Sequence, residues 1–263
     1  MFDEKYAQDF PLFGWLHLLI LGLGAASLVG VYYARGFLSR PLVGKVFRYT
    51  VATLLVVLEV AYQLWLQSLG EFRWNNAIPL GLCHIMNWAT AIALFFDLDR
   101  VFRVILPWAF AGAILSWVVV EMGTPSSYAF PHFRFFHYFG NHWLFLVGNL
   151  YYLWTGRFSF RYKDLLKSSA WLMGVALVVL GIDLATSANH MFLREWPAEL
   201  GFVNQWLPFP LNTLALMLGI FILLNIFYLI FVIGRSWTSE APRKAAQPQD
   251  PEGGHALTSH FTD

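Results

Sequence analysis

Residues 207–234 read LPFPLNTLALMLGIFILLNIFYLIFVIG and contain no Asp, Glu, Lys or Arg. A helix needs about 20 such residues to cross a hydrocarbon core roughly 30 Å thick, and a backbone in lipid must satisfy its own hydrogen bonds. This stretch therefore predicts a membrane helix. It is one of several, and together they leave few alternatives to a polytopic helix bundle. Spans are expected at roughly 12–33, 46–68, 78–96, 101–120, 134–155, 165–187 and 208–233, about seven in all. The expected fold class is all-α.

The rest of the composition narrows function by exclusion. Hydrophobic residues make up 58% of the chain and charged ones 13%, far from a soluble domain. The net charge of +1 gives no basis for a nucleic-acid partner, and a single cysteine cannot build a disulfide framework. The opening MFDEKYAQDF is too acidic for the leading region of a signal peptide, so the first apolar segment is expected to stay.

Charge placement sets the expected orientation. Thirteen of the 17 Lys and Arg residues fall in the connections after spans one, three and five and in the tail, which puts the tail in the cytoplasm and the N-terminus outside. Residues 1–235 then form a seven-helix transmembrane domain. Residues 236–263, polar and rich in Pro, Gly and Ala, are expected to be a disordered cytoplasmic tail. The expected location is multi-pass, in a bacterial cytoplasmic membrane.

Polar groups within spans are costly and call for a partner or a function. Here they gather in the outer half. Cys83 is expected about 8 Å below the outer end of span three, with Asn87 one turn deeper on the same face. His142 falls roughly 12 Å below the outer end of span five, on a stripe with Arg134, Tyr138 and Asn149, and Asn141 sits beside it. Asp183, Ser187 and His190 share a face at the outer end of span six, flanked by Asn189. Glu59 and Gln63 lie one turn apart in span two, His17 lies near the outer end of span one, and Glu121 closes span four.

These residues have structural readings as well. A membrane cysteine commonly packs, a buried imidazole often serves a backbone carbonyl, and Asn87, Asn149 and Gln63 suit interhelical hydrogen bonding. His132 and His137 are expected at the interface among aromatics. His84 projects about 100° away from Cys83, unsuited to be its base. The most economical chemical pairing is Cys83 with His142: the imidazole removes the thiol proton and leaves a nucleophile for an ester carbonyl. Asn87 or Asn141 would donate to the oxyanion, and Asp183 or Glu59 would orient the imidazole. Asn189 and His190 are further supporting candidates, and Arg134 is a fork-shaped donor for a lipid phosphate. This chemistry requires neither metal nor cofactor.

Three motifs carry a family resemblance: IPLGLC at residues 78–83, FPHFRFFHYFGNHW at 130–143 and ATSANHMFL at 185–193. Their order resembles the YwaF-type bacterial integral membrane proteins and the transmembrane protein 164 family. The family's Cys falls on Cys83 and its His on His142. The resemblance implies an acyltransferase that forms a thioester on the Cys and moves fatty acyl chains between phospholipids, with phospholipid or lysophospholipid as substrate. Two positions depart from the pattern: Gly81 stands where the family carries His, and Trp143 follows His142 where the family has Gly.

Two other readings remain. A zinc-dependent lipid hydrolase would use His17, His84, His142 and His190 with Glu59 or Asp183, although no H-E-x-x-H pattern is present. A seven-helix solute transporter or receptor would use the same groups to bind or to relay protons.

Overall fold

The computed structural model describes residues 10–72, 78–118, 128–196 and 201–239, with side chains through residue 233. Every regular element among them is helical. In chain order they are α1 (Trp15–Tyr33), α2 (Arg35–Leu38), α3 (Pro41–Ser68), α4 (Leu82–Phe96), α5 (Asp99–Val118), α6 (Phe133–Trp154), α7 (Tyr162–Thr186), a 3-10 turn at His190–Phe192, α8 (Phe202–Trp206) and α9 (Leu211–Ser239). The chain divides between Tyr228 and Leu229 into two units. The first holds α1 to α8 and the start of α9. The second begins within α9, where Leu229, Ile230, Val232 and Ile233 are exposed. The expected tail beyond Ser239 and Glu121 lie outside the described residues.

Local signals account for the ends. Pro41 opens α3 at a position where a missing N–H costs nothing. The His132 Nδ1 accepts the Arg134 N–H at the head of α6, and the Asp164 carboxylate accepts the Arg161 N–H at 3.0 Å at the head of α7. Asp97 and Ser187 close α4 and α7 in the left-handed region, at φ 58° and 60°.

Among the described residues, five helices are long and apolar enough to cross a membrane: α1, α3, α5, α7 and the Leu211–Ile233 part of α9. Leu23, Val57, Leu115, Leu177 and Leu218 are among many large apolar side chains that face outward on them. In water such faces would be untenable, and in lipid they are solvated. The two remaining expected spans differ for a physical reason. The fifteen residues of α4 reach only about 22 Å. The stretch forming α6 carries Arg134, two histidines and two asparagines, and 16 of its 22 residues are buried. Helix α6 packs against α1, α3, α4 and α5, and α7 lies on the outer side of α5. Because protein covers α6 on most sides, it can be polar where a lipid-facing helix cannot.

Helix α1 approaches closely through Gly24, where an added Cβ would sit 1.9 Å from the Trp117 ring. At the end of the bundle where α4 and α6 finish, Asp97 binds Arg48 at 2.8 Å and Arg157 at 2.9 Å and accepts a hydrogen bond from the Tyr152 hydroxyl. Arg157 also meets Asp99 at 3.2 Å. Partial burial alone would lower the Arg157 pKa, but the two carboxylates outweigh it and the pKa is raised, so the charge is secure. The network pins α3, α4 and α6 together far from Cys83.

Candidate functional site

Helix α4 begins at Leu82, so Cys83 lies in its first turn, after the non-helical Ile78–Gly81 segment. This corrects the expectation that Cys83 sits five residues inside a span. His142 is nine residues past the start of α6, or about 14 Å along it. The short α4 therefore begins at the depth of His142. Its first-turn N–H groups, those of Leu82, Cys83 and His84, have no intrahelical acceptor.

The Cys83 Sγ lies 3.1 Å from His142 Nε2. On the other side of that ring, Nδ1 is 2.7 Å from the Tyr138 carbonyl oxygen. A carbonyl only accepts, so Nδ1 carries the hydrogen and Nε2 presents its lone pair to the thiol. The tautomer that suits a base is thus fixed by the backbone of the same helix. Tyr138 and Phe145 pack on the imidazole with centroids 4.6 and 5.2 Å away. His142 is buried and Cys83 is half-buried. The Ser116 side chain on α5 lies near the Cys83 sulfur, and the Ser116 carbonyl accepts from the Tyr138 hydroxyl at 2.8 Å. Sequence reasoning passed over Ser116. Its signal was a lone hydroxyl in the apolar run AILSWVVV.

The expected supporting residues are placed differently. Glu59 is fully buried, but it binds His84, whose Nδ1 lies 2.8 and 3.0 Å from its two oxygens. Asp183 binds His190 at 2.6 Å. Neither acid orients His142: that place is taken by the Tyr138 carbonyl, which needs no buried charge. Asn87 donates to the Leu55 carbonyl at 3.2 Å and so links α4 to α3 instead of facing an oxyanion. Asn141 is buried, and its side-chain carbonyl has no hydrogen-bond partner. Asn189 organises the loop after α7 by accepting from the Arg194 and Glu195 N–H groups. Asn149 donates to Thr90 at 2.9 Å, the interhelical role expected of it.

His84 projects away from the thiol as its position in the helix requires, and its ring stacks on Tyr62 at 5.3 Å. Tyr62 also stacks with His137 at 4.6 Å and receives the Arg134 guanidinium 4.5 Å from its centroid. Arg134 donates to His137 Nδ1 at 2.8 Å and is itself buried. It faces the bundle interior, not the headgroup surface assumed for a phosphate contact. His132 and His137 are likewise buried, at 1% and 3% exposure, and not interfacial: the rings of Trp65, Tyr128 and Tyr62 enclose them. His17 is held at both nitrogens, donating to the Trp117 carbonyl at 2.6 Å and accepting from the Phe13 N–H at 2.9 Å.

Among the described residues no three of His, Cys, Asp or Glu converge as a ligand set. The arrangement around Cys83 suits nucleophilic attack: a thiol in contact with a base of fixed tautomer, a neighbouring hydroxyl and backbone donors in the first turn of α4. The model of the TMEM164 family matches residues 12–231. No curated protein and no solved structure matches the chain.

Proposed function

The chain belongs to the TMEM164 family, and from that premise we propose that this multi-pass membrane protein is an acyltransferase that moves fatty acyl chains between phospholipids through a thioester on Cys83. The observation that carries the reading is the 3.1 Å contact between Cys83 Sγ and His142 Nε2, with Nδ1 already committed to a carbonyl. His142 takes the thiol proton as sulfur attacks the ester carbonyl of a phospholipid. The carbon–oxygen bond to glycerol breaks, the alkoxide takes the proton from His142, and a lysophospholipid leaves. The hydroxyl of a second lysophospholipid gives its proton to His142 and attacks the thioester. Sulfur departs and recovers the proton. The Cys83 and His84 N–H groups, in the first turn of α4 at its positive end, would donate to the carbonyl oxygen as it becomes negative in each step.

In this reading all seven expected spans cross the membrane, the short α4 together with the Ile78–Gly81 segment before it, with α4 and α6 shielded by their neighbours and the N-terminus outside a bacterial cytoplasmic membrane. The metal reading has less support, because His17, His84 and His190 are each committed to separate partners.

The test is acyl transfer by the purified protein from a labelled-acyl phospholipid to a lysophospholipid, comparing wild type with Cys83→Ala and His142→Ala. Transfer is expected to be abolished in the first variant and to fall about 100-fold or more in the second, with acyl found on Cys83 of the wild type by mass spectrometry. Undiminished transfer in folded Cys83→Ala would sink the thioester route.

A further inference from the structure

At the end of the bundle opposite Cys83, α5 and α7 both begin, and between their first turns lies a cleft of about 590 Å³. Its lining is Asp99, Arg100, Arg103, Lys163, Asp164 and Lys167, with Val104. The two acids are committed: Asp99 to Arg157, which lies outside the cleft, and Asp164 to the backbone N–H of Arg161. The four cations have no acid partner among the described residues. Arg103 only rests on the Phe158 ring, 5.4 Å from its centroid. Four like charges around one space repel one another, and both helices point their positive ends at it. Four cations against two acids leave the lining net positive, which favours an anion there.

We infer that this cleft binds the phosphate of an anionic phospholipid headgroup in the leaflet on that side. A lipid suits the site better than free phosphate because of what adjoins it. Lys163 and Lys167 lie one turn apart on α7, and the next residue of that stripe is Trp171, which is 64% exposed. A headgroup held by the lysines would lay its acyl chains along this apolar, ring-bearing face, as basic pockets between membrane helices allow. The inference is independent of the chemistry at Cys83.

The experiment is native mass spectrometry of the full chain carrying phosphatidylglycerol or phosphatidylcholine, read as the ratio of the two affinities. Wild type is expected to prefer phosphatidylglycerol. Lys163→Gln/Lys167→Gln is expected to lower that preference roughly thirty-fold, since each basic residue at an anionic headgroup contributes a factor of about five. Arg40→Gln/Lys45→Gln, which neutralises two exposed cations of the same basic side outside the cleft, is expected to leave it unchanged. If the lysine pair variant does not fold, Arg100→Gln/Arg103→Gln replaces it. Retention of the preference in the cleft variant, or an equal loss in Arg40→Gln/Lys45→Gln, overturns the site. Displacement of bound phosphatidylglycerol by millimolar inorganic phosphate overturns the lipid as its occupant.

Discussion

At the scale of single residues, Glu59 is a costly group, a carboxyl with no exposure inside a membrane helix. It is satisfied by His84 at 2.8 Å and by the Gln63 amide at 3.3 Å. Truncation to Glu59→Ala leaves the His84 Nδ1 unpartnered and is expected to cost about 1 to 3 kcal/mol, measured by thermal unfolding in detergent. Glu59→Ala/His84→Ala should cost less than the sum of the two single changes, because the second removes the orphaned partner. Strict additivity would show that the two groups do not act as a pair. Ser116→Ala tests the hydroxyl beside the sulfur: losing one hydrogen bond to a group that becomes charged is expected to slow transfer about ten-fold without changing which residue is acylated. A rate equal to wild type would remove Ser116 from the site. The pairing of Cys83 with His142 was legible because both residues fall at a similar depth of their spans, a one-dimensional property, but their contact was not, since equal depth permits contact without requiring it. The partners of Glu59, Asp183 and Asn87 depend on how each helix is rotated about its axis. Hydropathy says little of that for helices buried on most sides, so the acids were assigned to the wrong imidazole.

At the scale of elements, the site depends on two helices held in register, and Gly148 sets their spacing. A Cβ at Gly148 would lie 3.1 Å from both Leu94 Cδ1 and Thr90 Cγ2 on α4. Gly148→Val is therefore expected to push α4 from α6 and to lower transfer at least ten-fold, since a shift near 1 Å in a reacting pair costs on the order of 100-fold. Its stability cost of about 1 to 3 kcal/mol is that of an overpacked contact. Gly140→Ala on the same helix meets only Leu58 Cδ1 at 3.7 Å, an ordinary contact, and should keep full activity. Equal activity in both variants would mean that the α4–α6 spacing does not govern the chemistry. The five apolar helices were visible in the sequence because lipid demands a continuous apolar face. The start of α4 was misplaced by four residues, because IPLG is apolar without being helical and hydropathy cannot tell the two apart. Helices α2 and α8 were missed altogether: four and five residues carry no periodicity.

Across the first unit, the functional groups separate by end. The thiol–imidazole pair occupies one end of the bundle, while the Asp97 network and the basic cleft occupy the other. The short α4 keeps Cys83 about 22 Å of helix away from Asp97, and the arginines clustered there have no route to it. One leaflet should therefore supply both donor and acceptor. In the proposed orientation, with the basic connections inside, that leaflet is the outer one. The two statements can be tested together in vesicles whose labelled-acyl phospholipid has been introduced into the outer leaflet alone. A protease site appended after Asp263 reports, by its protection, the fraction of molecules inserted with the tail in the lumen. Transfer is expected to rise in proportion to the protected fraction as insertion conditions are varied. Transfer that follows the cleaved fraction would put the site on the same side as the tail while keeping a one-leaflet site. Transfer independent of insertion would show that Cys83 is reached from both leaflets, and the end-to-end separation of charge and chemistry would then have no bearing on substrate access.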